Sequence, residues 1–362
     1  MEKMSIRISS TLLACLLMGT AGARGDQPKS ASGGEDVWRK ALPNTAIEAI
    51  RPDPRLPGIY EIVMGDKVVY GDATGRYLMF GHLFDVRTQQ DLTQQHLDHC
   101  LTCRSCETTC PSGVRYARLA DIGREIVDRR VGRPLAQRLM RYALRKIVPY
   151  PERFGLLLAL GRAARPLLPQ QMRRQLPPLQ HDSARPAVTH KRRMLVLEGC
   201  VQKTATPNTN AAAARILDRL GISLISDAAA GCCGAVSHHL SESEEARRAM
   251  RRNIDAWWPH IEAGAEAIVI SASGCGVMVK EYGDLLREDP VYAEKATTVA
   301  ALARDIGEVV ATADLQSLPI DGRGRAIAFH APCTLHHGQK LPGVVEGILR
   351  QFYFKLIPVA DS

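Results

Sequence analysis

A mixture of α+β and α/β architecture is predicted for this chain, on three observations. Between Ile59 and Val86, three short β-branched and aromatic runs are separated by turn residues. Cysteines at 100, 103, 106 and 110 then open a stretch of helical periodicity. From Arg193 onward, buried-strand runs alternate with helical ones and deliver cysteines at strand ends. Together these predict a small antiparallel β module, a helical segment carrying the four-cysteine run, and cysteine-rich α/β modules with a parallel sheet, the second incomplete. At 362 residues, 45% of them hydrophobic, the chain is long and apolar enough for two or three cores.

The first element is a leader. Lys3 and Arg7 precede the apolar run Thr11 to Met18, and Ala21-Gly22-Ala23 supplies a small-x-small cleavage pattern, so residues 1–24 read as a secretory signal peptide. The apolar core is far short of the roughly 20 residues of a membrane span. Cys15 sits inside it, and a lipoprotein acylation site there is the lesser reading. Gly25 to Glu35 is a Gly, Ser, Lys and Pro leader with nothing to bury.

A short helix, Val37 to Leu42, is stopped by Pro43. The runs Ile59 to Met64, Lys67 to Tyr70 and Tyr77 to Val86 follow, with turns at Gly65-Asp66 and Ala73-Thr74-Gly75, as an antiparallel meander. The stretch Leu56-Pro57-Gly58-Ile59-Tyr60-Glu61-Ile62, with Val68 to His82, resembles the amino-terminal dimerisation domain of the periplasmic disulfide isomerase DsbC family. That resemblance implies a homodimer through residues 35–92 within a module of residues 25–95. No thioredoxin pattern follows, so the catalytic chemistry of that family is not implied.

Residues 96–190 form the second zone. Cys100, Cys103, Cys106 and Cys110, followed by Pro111, make the run CxxCxxCxxxCP, the spacing with which bacterial ferredoxins hold a 4Fe-4S cluster. A cubane needs thiolates from several directions, so the first three are expected on a tight loop and the fourth on the helix that leaves it, whose start suits Pro111. A zinc knuckle or a redox CxxC at Cys103 and Cys106 are the alternatives. Helices are expected over Leu119 to Val127, Pro134 to Ile147 and Phe154 to Leu168, with Leu156, Leu157, Leu158, Leu160 and Leu167 of the last one read as core.

Much of the net charge of +9 comes from arginines between Arg124 and Arg193. Without interleaved aromatics or a nucleic-acid module, that stretch is read as a solvated or docking face and not as a nucleic-acid site. Such a face also suits an acidic partner subunit or peripheral association with an anionic membrane.

Residues 191–362 form the third zone. Arg193 to Glu198 reads as a buried strand leading to Cys200; a helix from Asn208 to Leu220, the strand Ile222 to Ser226 and Gly231-Cys232-Cys233-Gly234 follow. After a helix through Trp257 and Trp258, the strand Ala267 to Ser271 delivers Cys275. In a parallel sheet the carboxyl ends of the strands gather ligand groups, so Cys200, Cys232, Cys233 and Cys275 are expected at one rim as a second cysteine site. They hold a cluster or a metal, or are buried structural thiols. The pattern restarts with Ala326 to Cys333, and Ile348-Leu349-Arg350 echoes Ile216-Leu217-Asp218. The Cys232 pair lies 16 residues past Ile216, and the same count from Ile348 reaches 364, beyond Ser362, so Cys333 marks an incomplete third site.

The segment Leu101 to Tyr116, with Ala230 to Ala235 and Asn253 to Pro259, resembles the iron-sulfur subunit of glycolate oxidase over about residues 96–362. The resemblance implies a non-catalytic electron-transfer subunit of a glycolate dehydrogenase complex, in which flavin-containing subunits oxidise glycolate to glyoxylate. It also implies a 4Fe-4S cluster and a second cluster at the CCG cysteines. Two departures count: the family's earlier ferredoxin run and its second CCG pair have no counterpart, which leaves Cys110 without the cluster it would serve. The family belongs at the cytoplasmic side of the inner membrane, whereas a signal peptide points to the periplasm. The expectation is therefore a gene fusion, truncated and impaired in electron transfer; the alternative is an exported DsbC-like dimerisation module with a passenger.

Overall fold

The computed structural model describes residues 34–43, 45–53, 58–64, 67–76, 78–80, 90–181 and 183–359. The expected signal peptide, Cys15, the Gly65-Asp66 turn and residues 81–86 of the third strand lie outside them. The chain divides into two compact units, Met1–Val86 and Arg87–Ser362.

In the first unit a helix, α1 (Gly34–Ala41), precedes strands β1 (Ala49–Pro52), β2 (Ile59–Met64), β3 (Lys67–Asp72) and β4 (Leu78–Phe80). The sheet is antiparallel in the order β1-β2-β3-β4, so four strands stand where three were expected. β1 escaped notice because it is a four-residue edge strand carrying Arg51 and ending at Pro52, which a strand tolerates only at such a place. Ile62 pairs with Ile50 on one side and Val69 on the other, and these three with Trp38 form the core. The Trp38 indole donates to the Asp72 carbonyl at 2.9 Å. Position 71 must be glycine, because a Cβ there would stand 2.1 Å from the Trp38 ring.

The second unit begins with helices α2 (Gln90–His99), α3 (Ser105–Thr109), α4 (Tyr116–Val131), α5 (Leu135–Ile147), α6 (Pro151–Ala163) and α7 (Gln170–Gln175). Pro151 starts α6 at a position where its missing N–H costs nothing. In α5 two of the three arginines face inward, Arg138 staying exposed: Arg141 donates to Asp128 of α4 at 2.9 Å, and Arg145 reaches Glu245 at 2.6 Å. Those ion pairs turn Leu135, Leu139, Met140 and Tyr142 to solvent.

The leucines of α6 and its extension correct the sequence reading. Leu158 is buried, but Leu156, Leu157, Leu160 and Leu167 are 65%, 54%, 58% and 88% exposed. One narrow side of the helix is covered, where Gly155 lies against Thr204 and Gly161 against Leu176. Apolar content on nearly every side made the buried side unreadable from periodicity.

The α/β part runs β5 (Arg192–Val196), α8 (Gln202–Ala205), α9 (Asn208–Arg219), β6 (Ile222–Ser226), α10 (Ala235–His239), α11 (Ser243–Glu262), β7 (Ile268–Ile270), α12 (Ser273–Lys280), α13 (Tyr282–Leu285), α14 (Ala293–Leu302), β8 (Ala303–Asp305) and α15 (Ile306–Ala311). The sheet order is β6-β5-β7-β8, all parallel. β7 is wholly buried, as a parallel strand covered on both faces must be. β8 was not foreseen: it follows α14 with no turn residue between them, and its three residues carry no strand pattern. Ala246, Met250, Ile254 and Trp257 of α11 recur every three or four residues and pack on the sheet. The restart gives β9 (Ala326–Ala328), α16 (Val344–Gln351) and β10 (Lys355–Ile357), with β9 and β10 paired in parallel.

Candidate metal centre

The 100–110 run departs from the expected layout: Cys100 and Cys103 stand on a loop, Cys106 lies within the short helix α3, and Cys110 caps its end, while the next helix starts at Tyr116 and not at Pro111. Two arginines hold the run. Thr102 and Arg104 take left-handed backbone conformations, with φ of 53° and 64°, and so turn the chain sharply between cysteines. Arg124 of α4 donates to the Leu97 carbonyl at 3.0 and 2.9 Å and also to the Cys100 carbonyl and the Thr102 hydroxyl. Arg104 is buried and donates to Glu281 at 2.6 Å, tying the loop to the end of α12. Glu107 accepts from the Ala117 amide at 2.8 Å and closes the loop on α4.

Cys100 and Cys106 are exposed, while Cys103 and Cys110 are half-buried. The Val114 amide, aided by those of Ser112 and Gly113 and by the Tyr116 hydroxyl 3.9 Å from Sγ, draws the Cys110 thiol below its ordinary range against the effect of desolvation. A thiolate so favoured is a ready metal ligand.

Cys200, Cys232, Cys233 and Cys275 come together at the carboxyl ends of β5, β6 and β7. Cys233 donates to Cys275 with the sulfurs 3.4 Å apart, and Cys200, Cys232 and Cys233 act on one another's titration. Two thiolates on one tetrahedral metal stand about 3.8 Å apart, for bonds of about 2.3 Å. The Cys200 thiol is held well above its ordinary range by its bond to Cys232 and by burial. Cys232 is favoured as thiolate by Cys200 but pushed up to about 12 by Cys233 and burial. Cys233, supported by Cys232 yet opposed by Cys275 and complete burial, is also pushed well up. Stacked thiols resist losing their protons until a cation is among them, and a bound metal supplies that charge.

The turn bearing the pair is built around Asn253 and Tyr282, both wholly buried, whose role sequence reasoning missed. Asn253 Oδ1 accepts from the Gly231 amide at 2.8 Å, and Nδ2 donates to the Cys232 carbonyl at 3.0 Å and the Tyr282 hydroxyl at 3.1 Å. Tyr282 in turn donates to the Cys233 carbonyl at 2.8 Å. The available signal was an amide on the apolar stripe of α11, between Met250 and Trp257. Gly234 has φ of 94°, and a Cβ on it would stand 3.1 Å from the Ala246 carbonyl.

A cavity of about 940 Å³ is lined by Cys100 of the loop together with Cys200, Cys232, Cys233 and Cys275. Cys100 and all four CCG cysteines thus open into one space. Cys333 is exposed and begins the turn Thr334–Gly338. That turn lies against α3, with His337 Nδ1 2.8 Å from the Thr108 hydroxyl, and against α12, with the Thr334 and Ser273 hydroxyls 2.7 Å apart.

Two family matches fall on this architecture. Residues 35–94 match the disulfide bond isomerase protein N-terminal domain, and residues 194–280 match the cysteine-rich (CCG) domain. The chain is similar to the glycolate oxidase iron-sulfur subunit of Escherichia coli (strain K12), 55% identical over 271 residues, which are 75% of this chain and 66% of the relative. It is 27% identical over 300 residues to a probable glycolate oxidase iron-sulfur subunit of Bacillus subtilis (strain 168), covering 74% of this chain and 67% of that one. Lactate utilization protein A of Bacillus licheniformis is 26% identical over 155 residues, 42% of this chain and 60% of the relative. The chain therefore spans about two thirds of the length of the first of these relatives. No solved structure matches the chain.

Proposed function

We propose that the chain is an iron-sulfur electron-transfer subunit of a glycolate-oxidising complex, with no catalytic residue of its own. The observation that carries this is the convergence of five cysteines, from the 100–110 loop and the CCG module, on one cavity. A bound iron-sulfur cluster supplies one-electron steps, which splits the two electrons leaving glycolate as it becomes glyoxylate on flavin-containing subunits. Cys100, Cys103, Cys106 and Cys110 are the ligands read for a 4Fe-4S cluster, and Cys200, Cys232, Cys233 and Cys275 those for a second centre. Cys333, at the start of the turn that lies against α3 and α12, is read as an incomplete third site.

In this reading residues 25–95 are a fused DsbC-like module that pairs two chains through residues 35–92, and residues 96–190 and 191–362 are the loop-bearing and CCG domains. In this reading the fused chain is impaired in electron transfer. An exported dimerisation module with a silent passenger is the second reading, favoured by the match over residues 35–94. Anaerobically purified chain, mixed with the flavin subunits and glycolate, tests the two. Iron with acid-labile sulfide, and visible absorbance that bleaches on adding glycolate, is expected; a colourless, iron-free chain supports the passenger.

No described helix is long and apolar enough to cross a membrane. Peripheral contact fits the α5–α7 region, where Leu139, Met140, Leu156 and Leu160 are exposed among Arg138, Arg153, Arg162, Arg165, Arg173 and Arg174, with Glu152 the one acid between positions 134 and 181. The chain is expected to sediment with vesicles containing phosphatidylglycerol and not with phosphatidylcholine alone. Leu139→Glu with Leu160→Glu should weaken that binding about tenfold or more, two buried leucines contributing about 1.5 kcal/mol each or more. Equal sedimentation of the variant would dismiss the surface.

A further inference from the structure

Away from the cysteines, a second set of ligand atoms sits on the seam between α4 and α10. Asp121 Oδ2 lies 3.2 Å from His238 Nε2, and Asp121 Oδ1 lies 3.1 Å from His239 Nδ1. All three ligand atoms fall within 4.8 Å of one another. Asp121 and His238 are 12% and 13% exposed, and His239 37%. The adjacent imidazoles are tilted by 59° with centroids 5.3 Å apart, which lets successive residues of one helix reach both oxygens of a single carboxylate. Burial alone would raise the Asp121 pKa, but the bonds from His238 and His239 outweigh it and keep the carboxyl well below its usual range.

We infer that Asp121, His238 and His239 form a site for a divalent first-row transition-metal ion, zinc or ferrous iron, that clips α4 to α10. Two imidazoles and a carboxylate are a donor set such ions take. The spacing suits them too. Charge-assisted hydrogen bonds from imidazolium to carboxylate run about 2.7–2.9 Å. Ligands at about 2.1 Å from an ion lie about 3.0 Å apart at an octahedral edge and about 3.4 Å at a tetrahedral one. Asp121 Oδ2 and His238 Nε2, 3.2 Å apart, fall in that range, and one ligand atom from each of the three residues lies within 4.8 Å of the others.

Arg124 is the competing cation, with Nη1 3.2 Å from Asp121 Oδ1. Its other contacts, to the carbonyls of Leu97 and Cys100, hold it at the loop. Oδ2 receives no bond from it, and that oxygen is free to face an ion together with His238. Asp121 and His238 also line a cavity of about 460 Å³, which leaves room for water in the remaining coordination positions. The site uses no cysteine and so stands independently of the iron-sulfur reading. By tying the helix after the 100–110 loop to the helix after the Cys232-Cys233 turn, the ion would fix the spacing of the two cysteine groups.

Manganese is the probe, because a hard ion avoids thiolates and leaves the cysteine sites out of the measurement. Full-length chain purified anaerobically is titrated with Mn²⁺, and the free ion is followed by electron paramagnetic resonance. One Mn²⁺ per chain is expected, displaced by Zn²⁺, with affinity unchanged in Cys233→Ser and at least tenfold weaker in Asp121→Asn and in His238→Gln. The melting temperature of the wild type should also rise on adding Mn²⁺, whereas that of Asp121→Asn stays put. This second readout separates an ion site from a plain ion-paired clip, whose loss lowers stability equally with and without metal. No bound Mn²⁺ in the wild type, or equal affinity in Asp121→Asn, would overturn the assignment.

Discussion

Cys233→Ser is expected to strip the metal from the CCG site while leaving the iron of the 100–110 run in place. Cys233 is an inner member of the four-thiol row, coupled to Cys232 in titration and 3.4 Å from Cys275. It is also almost wholly buried. Serine keeps a donor and an acceptor in nearly the same volume, and the fold should tolerate it. Its oxygen, however, is a hard ligand whose proton is far more tightly held than that of a thiol, and soft-metal affinity should fall by about 100-fold or more, beyond what loss of an outer-shell partner costs. Metal and acid-labile sulfide per chain, measured beside the melting temperature, check this. Unchanged metal content in a folded variant would mean that the thiols at the rim are structural.

Much of this centre could be read before the structure. The cysteines announce themselves by spacing, and the parallel sheet by alternation, because strands buried on both faces are forced into short apolar runs such as Ile268 to Ile270. Where signals were local they held: β2, β6 and the helix after the loop stand where turn residues and periodicity put them. Elements defined by partners were invisible. β8 is a strand because Ala303 lies beside Ile268, not because of its residues. The inward Arg141 and Arg145 of α5 invert the usual rule, since Asp128 and Glu245, on other helices, decide which face turns in. The same holds for the site: four thiols were legible, but not the amide and phenol that shape their turn. A hydrogen bond between positions 253 and 232 leaves no trace in the pattern of either segment.

Asn253→Ala is expected to cost about 3–5 kcal/mol and to disorder the cysteine turn. The side chain makes three hydrogen bonds in a place with no exposure at all: from Gly231 N–H, to the Cys232 carbonyl and to the Tyr282 hydroxyl. Truncation leaves three buried polar groups short of a partner, at about 1–3 kcal/mol each. The loss is partly offset because Arg252 still donates to the Cys232 carbonyl at 3.2 Å, and Tyr282 still donates to that of Cys233. For a unit of this size, each kcal/mol lowers the melting temperature by roughly 2–4 °C, so a fall of about 10 °C is the expected result. Tyr282→Phe removes the donor to Cys233 and one acceptor for Asn253, and should cost about half as much. Because both residues belong to one network, the double variant should lose less than the two single losses added together. Metal content should follow in the same order, wild type above Tyr282→Phe above Asn253→Ala, since the turn that presents Cys232 and Cys233 is what these groups hold. A melting temperature for Asn253→Ala within about 2 °C of the wild type would show that the turn keeps its shape without the amide, a cost below the roughly 1 kcal/mol expected for one unpaired buried group.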